Sequence, residues 1–408
     1  MNILRQWLIP LIFLISLTTP TAQAEDSDQH NNGKTGNHLK DADIADPWFQ
    51  LRDTSNDPKR EPGPFYPRRL INMFSPGVLT FFQLPVALTP EDLRAGKVDV
   101  AIIGAPIDMS LGMRGAGKGP TALRASMALM PNGGELPHMH VGVAWKHELV
   151  VVDYGNAPID VLSTANSMRP VRQLVREIAE TGAIPVIIGG DHSLEYPNVA
   201  GVSDVYGKKN VGVIHFDAHF DAGAPEEMGG HLISHAQPIR RLVEEEHILG
   251  KNYIQVGLRG YWPGEEGFQW MRKHEFRYHT MAEIERDGWD TVMERVIAEA
   301  NDGPEYLYIS FDIDVLDPAY TPGTGTPESG GLTPREVFPL LRSLCTENNI
   351  VGFDLVELNP LADPGYTTIL NANRIVQECL TGIAMRKKGI TDGKYLNPLT
   401  SNDKRSDP

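Results

Sequence analysis

Three side chains able to bind a metal or move a proton stand two residues apart in "HFDAHFDAG", residues 215–223. They are Asp217, His219 and Asp221, and they follow the apolar run Val211–Ile214. The same kind of residue recurs at three other places where an apolar run stops. "IPVII" is followed by Gly189-Gly190-Asp191-His192-Ser193, "YLYISF" by Asp312-Ile313-Asp314, and "IVGFDLV" by Glu357. Residues i, i+2 and i+4 of an extended chain point to one side, so Asp217, His219 and Asp221 can face one point, as can Asp312 and Asp314. Asp217, Asp221, Asp312 and Asp314 gathered there would repel one another, and several would take up protons. Two divalent cations remove that conflict. Imidazole and carboxylate donors in this mixture suit Mn²⁺, with Ni²⁺, Zn²⁺ or Fe²⁺ as alternatives, and exclude an all-thiolate or all-oxygen site. Ions roughly 3.5–4 Å apart would share Asp217 and Asp312 and supply a hydroxide nucleophile. A single strand-end Asp is usually a helix cap, and a single His is usually a satisfied core residue. Six such residues at matched strand ends call for a metal centre.

The elements that must position them are legible in the hydropathy pattern. From about residue 98, short continuous apolar runs appear at "VDVAIIGAP", "ELVVVDYG", "IPVIIGGD", "VGVIHFDAH", "YIQVGLRG", "YLYISFDID" and "IVGFDLVEL". Amphipathic helical segments lie between most of them, at 166–181, 281–300, 334–347 and 366–386. Buried strands alternating with helices predict an α/β fold, a three-layer α/β/α sandwich with a mostly parallel central sheet in one domain. In such sheets the ligand site lies beyond the carboxyl ends of the strands, where the residues above fall.

The motifs "GGDHS", "DAHFD" and "SFDIDVLDPAYTPGTGTPESGGLT" resemble the three signatures of the ureohydrolases, the arginase and agmatinase family, and the likeness runs over about residues 98–390. The resemblance implies that His192, Asp217, Asp221 and Asp312 hold one metal, and Asp217, His219, Asp312 and Asp314 the other. It also implies an arginase-like fold, a trimer or hexamer, and hydrolysis of a guanidinium group to urea and an amine. Asp221 would take a proton from the hydroxide and hand it to the leaving nitrogen. Glu357 matches the family's guanidinium-binding Glu, able to pair with the planar fork of N–H donors. His235 in "SHAQP" resembles the "HG-x-P" histidine, a proton shuttle or gate, although Ala236 replaces the Gly. Thr326 is a further substrate contact by the same likeness.

Substrate choice rests on fewer residues. After Asp221 the chain reads "AGAPEEMGGHLISHAQP" and lacks the Asn by which arginases grip an amino-acid end, which disfavours arginine. Agmatine is the first expectation, with Glu226 or Glu227 meeting its distal amine. Phe220 and the loop residues Tyr261 and Trp262 suggest an aromatic-walled, smaller pocket, as in relatives acting on free guanidine or on guanidino acids such as guanidinobutyrate. A formimino or amide hydrolase on the same fold and a non-catalytic metal-binding protein are the remaining alternatives.

The rest of the chain bounds the reading. A formal net charge of −16 argues against nucleic-acid and anionic-membrane surfaces and suits a small cationic substrate. "MNILRQW", the apolar "LIPLIFLISL" and the Ala22-Gln23-Ala24 end have the layout of a signal peptide cleaved after Ala24, so export to a periplasm is expected. Residues 25–47 read as a disordered leader, 48–95 as an irregular Pro- and aromatic-rich arm, 96–390 as the catalytic domain and 391–408 as a polar tail. Cys345 and Cys379 are either one disulfide or two unrelated buried thiols. Gly112–Gly119 has phosphate-loop spacing, but Gly119 stands where Ser or Thr would be needed, so ATP binding is not expected. His138-Met139-His140 has metal-like spacing but is read as a loop with no acidic partners and as incidental.

Overall fold

Eight parallel strands form the centre of this computed structural model, whose described residues are 60–66, 78–126 and 133–399. The strands are β1 (Val100–Ala105), β2 (Val151–Asn156), β3 (Ile184–Gly189), β4 (Val211–Phe216), β5 (Tyr253–Leu258), β6 (Arg277–Thr280), β7 (Tyr306–Asp312) and β8 (Asn349–Val356). Their order across the sheet is β2-β1-β3-β8-β7-β4-β5-β6. Seven of them coincide with the apolar runs. The short edge strand β6, "RYHT", has no such run and is recognisable only from its pairing with β5.

Alternation along each strand sends neighbouring residues into opposite layers, which is why the runs are apolar throughout. Ile102, Ile188, Phe216, Phe311 and Phe353 pack on one face with Val337 and Leu340 of helix Pro334–Glu347 and Ile375 and Ile383 of helix Thr367–Lys387. Ile103, Ile187, Val213 and Tyr308 pack on the other with Val171 and Val175 of helix Thr164–Glu180 and Val199 of helix Glu195–Tyr206. The outcome is the expected three-layer α/β/α sandwich, and the described residues fall in one compact unit. The helix expected over 281–300 is two, Met281–Asp287 and Trp289–Asn301, divided at Gly288, whose φ of 85° breaks the helical path.

Cys345 and Cys379 form a disulfide that joins helices Pro334–Glu347 and Thr367–Lys387, so the alternative of unrelated thiols is set aside. The expected signal peptide, the leader and residues 48–59 and 67–77 of the arm lie outside the described residues, as do 400–408 of the tail. Among the described residues no helix is long and apolar enough to cross a membrane.

The strand order explains why four distant motifs meet. β3, β8, β7 and β4 are the four adjacent central strands, and being parallel they all end on the same edge. Their carboxyl ends deliver His192, Glu357, Asp312 with Asp314, and Asp217 with its followers.

Candidate active site

The turn after β3 begins with a tight approach, since a Cβ on Gly190 would lie 1.8 Å from the carbonyl oxygen of Ile107. Only glycine fits there, and the turn carries His192 over the sheet edge. Its Nδ1 lies 2.9 Å from Asp217 Oδ2, 3.1 Å from Asp312 Oδ2 and 3.2 Å from Asp221 Oδ2. On the far side of Asp217, His219 Nδ1 is 3.4 Å from Asp217 Oδ1 and 3.1 Å from Asp314 Oδ2. Two sets of donor atoms therefore converge within 4.8 Å of one another: His192, His215, Asp217 and Asp221 in one, and Asp217, His219 and Asp314 in the other. Asp217 belongs to both sets, as a bridging ligand should. Asp312 falls in neither set by that measure, but its contact with His192 keeps it at the junction.

The donors fit divalent cations better than they fit one another. His192 Nδ1 and Asp217 Oδ2 are buried and close, yet neither makes an aligned hydrogen bond. Among the described residues no Lys or Arg side chain forms an ion pair with Asp217, Asp221, Asp312 or Asp314. The protonation equilibria show the same tension. Burial, then the charges of Asp314 and Asp217, holds the Asp312 carboxyl well above its usual range, and burial with Asp217 raises Asp221. Burial would lower the pKa of His192, but the surrounding carboxylates outweigh it and raise it well above the usual imidazole value. Without cations the cluster can be neutralised only by protons. With them the carboxylates ionise and the imidazoles give up their hydrogens.

Asp221 and Glu357 share a second peculiarity, a left-handed backbone with φ of 46° and 58°. Such a conformation costs a non-glycine residue of order 1–3 kcal/mol and persists where the surroundings enforce it. For Glu357 the enforcement is visible: its backbone N–H donates to the Gly190 carbonyl at 2.8 Å, which ties the end of β8 to the glycine pair after β3. Glu357 Oε1 accepts from the His192 backbone N–H at 3.0 Å and lies 3.4 Å from His235 Nδ1. Its Oε2 is buried with no partner and faces Gly325. A carboxylate fixed through one oxygen and free at the other suits a planar N–H donor such as guanidinium.

His235 closes the opposite side. Its Nε2 accepts the Leu111 backbone N–H at 3.1 Å, so its Nδ1 hydrogen points to Glu357. Burial works against a charge on His235, but Glu357 outweighs that and places its pKa at about 8. The loop that carries Leu111 is the glycine-rich stretch with phosphate-loop spacing. It is pinned across the site instead, by Met113 N–H to the Gly325 carbonyl at 3.0 Å and by Asn359 Nδ2 to the Met113 carbonyl at 3.0 Å. Thr326 sits beside it, its Oγ1 3.4 Å from Asp314 Oδ2.

Three expectations change. Phe220 does not wall the cleft; it is buried behind it, edge-on to Trp262 and Trp270 at centroid distances of 5.2 and 6.2 Å. Tyr261 is fully exposed, so of the three aromatic residues Trp262 alone stands beside Gly223, next to Glu227. His138 does have an acidic partner, Glu378 at 3.1 Å, supplied from 240 residues away in a helix that the loop sequence cannot reveal. One residue was passed over altogether. His215 lies inside the first donor set, its Nε2 3.0 Å from Asp217 Oδ2, and the same two-residue alternation that marks Asp217 and His219 marks it too. Its position within the apolar run disguised it as part of the strand.

The model of the arginase family matches residues 98–382. This chain belongs to the arginase family. It is similar to a guanidinobutyrase of Pseudomonas aeruginosa, 35% identical with 74% of this chain and 91% of the relative covered. It is also similar to the mitochondrial agmatinase of Gallus gallus, 36% identical over 74% of this chain and 84% of that one. Among solved structures, a hypothetical agmatinase from Burkholderia thailandensis superposes with a TM-score of 0.68 at 30% identity, covering 78% of this chain and 94% of that chain. The chain is thus a ureohydrolase acting on guanidino compounds, with the paired divalent-metal site of its family.

Proposed function

We propose that the protein is an agmatinase, hydrolysing agmatine to putrescine and urea with two divalent ions, Mn²⁺ first. His192, Asp217, Asp221 and Asp312 would hold one ion, and Asp217, His219, Asp312 and Asp314 the other. Bound there, the ions would activate a water for attack on the guanidinium carbon and offset the charge that develops. Glu357 orients the guanidinium through its unpaired Oε2, and Thr326 lines the approach beside Asp314. Asp221 receives the proton released in the attack and returns it to the leaving nitrogen. His235 holds a proton at Nδ1 beside Glu357, where it exchanges with the departing amine.

The observation that favours a guanidino-amine is the position of Glu227. Its Oε1 accepts from the Ala224 N–H at 3.3 Å and its Oε2 from Trp262 Nε1 at 3.2 Å. That carboxylate stands over Gly223, which is two residues past Asp221 and is bonded through its N–H to Ala236, the neighbour of His235. A carboxylate fixed by neutral donors keeps its charge for a ligand, and the distal ammonium of agmatine supplies the opposite sign. A guanidino acid is the second reading, favoured by Arg114, whose guanidinium has no ion-pair partner among the described residues and is borne by the loop that crosses the site.

Urea release from agmatine, 4-guanidinobutyrate, guanidine and arginine after Mn²⁺ or Ni²⁺ loading decides between them. Agmatine should give the highest kcat/KM, and Glu227→Gln should raise its KM while leaving guanidine turnover alone. Preference for guanidinobutyrate, lost in Arg114→Ala, would replace the agmatine reading. The first 24 residues support export, which the N-terminal sequence of the secreted chain would establish by starting at Glu25.

A further inference from the structure

Behind the cluster lies a buried acid that no step of the hydrolysis uses. Glu195 opens helix Glu195–Tyr206, three residues after His192, and is fully buried. Among the described residues it has no Lys or Arg partner; it faces His215, whose Nδ1 is 3.2 Å from Glu195 Oε1, and the hydroxyl of Tyr253 donates to that same oxygen. An ionised carboxylate only accepts, so the His215 hydrogen sits on Nδ1. The other end of the ring, Nε2, then carries a lone pair 3.0 Å from Asp217 Oδ2, and neither atom makes a hydrogen bond, so two acceptors face the same space. The ring itself is stacked on that of His192, 4.7 Å between centroids and 9° from parallel.

A buried acid costs several kcal/mol unless something close by compensates it. Here the compensation comes from the His215 Nδ1 hydrogen and the Tyr253 hydroxyl, which leaves the imidazole's Nε2 free beside the carboxylate that both donor sets share. The arm is also directional. It reaches Asp217 Oδ2, the oxygen on the His192 side, whereas Oδ1 faces His219 and accepts the His219 backbone N–H at 2.6 Å. His192 has its own support of the same kind, through Ser310 Oγ at 2.9 Å and then Asp354 at 2.8 Å.

We propose that Glu195 and Tyr253 are positioning residues that, through His215, set the affinity of one metal ion of the pair, the one on the His192–Asp221 side. They fix the His215 ring so that its Nε2 lone pair faces that ion beside Asp217 Oδ2, and they leave the His219–Asp314 side to its own donors. Outer-shell partners of this kind change metal affinity by about 10–100-fold. The proposal rests on the paired-metal site and is independent of which guanidino compound is hydrolysed.

Stepwise Mn²⁺ binding to the metal-stripped full-length protein, followed by calorimetry and by electron paramagnetic resonance, tests it without reference to turnover. Glu195→Gln should weaken one of two binding steps by ~10-fold or more and leave the other within about 2-fold, so that the spin-coupled signal of paired ions gives way to that of single ions at limiting Mn²⁺. His215→Gln should act on the same step, and Tyr253→Phe on that step to a smaller degree. Circular dichroism on each variant establishes that it is folded, and Tyr253→Phe, which keeps the ring, carries the test if Glu195→Gln does not fold. Wild-type affinities at both steps, or equal weakening of both in a folded variant, would overturn the proposal.

Discussion

Two clusters of histidine and buried acid among the described residues do opposite things. At the sheet edge, Asp217, Asp221, Asp312 and Asp314 gather with His192, His215 and His219 and no paired Arg or Lys among the described residues. On helix Thr367–Lys387, Glu378 is buried too, but it is enclosed by Arg342, by Arg374 Nε at 2.6 Å and by His138 Nε2 at 3.1 Å. Both Glu378 oxygens are paired, and although burial opposes ionisation, these partners hold its pKa at about 2. The first cluster has surplus negative charge and unpaired buried atoms, so it is completed from outside. The second is complete in itself. His-x-His spacing thus says little about metal binding; the balance of charge around it says most.

The difference can be sharpened by substitution, beginning where the effect should be greatest. Asp217→Asn removes the shared donor and should abolish metal retention and urea release together, at least ~10³-fold in kcat/KM, as read by metal analysis and a urea assay. Retained turnover would break the account of the first cluster. Glu357→Gln should keep both ions and lose about 10²-fold in kcat/KM, because a desolvated charge pair to the substrate is gone. Loss of metal in that variant would mean that Glu357 supports the ions rather than the guanidinium.

The second cluster should respond in stability alone. Glu378→Gln is expected to cost about 3 kcal/mol in denaturant unfolding, since Arg342 and Arg374 lose their buried counter-charge, with kcat unchanged. Its pH dependence has a definite sign. The Glu378 carboxyl titrates at about 2 in the fold against 4.5 ordinarily, so its stabilisation is present above pH 4.5 and is lost as pH falls towards 2. The gap in stability between wild type and Glu378→Gln should therefore close over that acid range. A gap independent of pH would mean that packing, not charge, is the contribution.

The same contrast explains what the sequence could reveal. Seven strands, the layered parallel sheet and the edge at which the six candidate residues gather were legible, because each is written locally as an apolar run and the residues that end it. β6 was not, since an edge strand of four residues needs no apolar face. The role of His138 was hidden because its partner lies in a distant helix, and Phe220 was misplaced because its neighbours Trp262 and Trp270 come from other segments. His215 is the instructive miss. Its period was in plain view, but the significance of a histidine inside a strand depends on Glu195, and only the fold brings those two together.

The central claim is that surplus carboxylate charge at the ends of β4 and β7, with the His192 imidazole from the end of β3, is there to hold a pair of divalent ions that drive guanidinium hydrolysis. Counting bound metal in the active full-length protein tests it most directly, by elemental analysis alongside urea release from agmatine as Mn²⁺ is added back. Activity should rise with the second ion and level off at two per chain. Full urea release at one ion per chain, or with none, would contradict it.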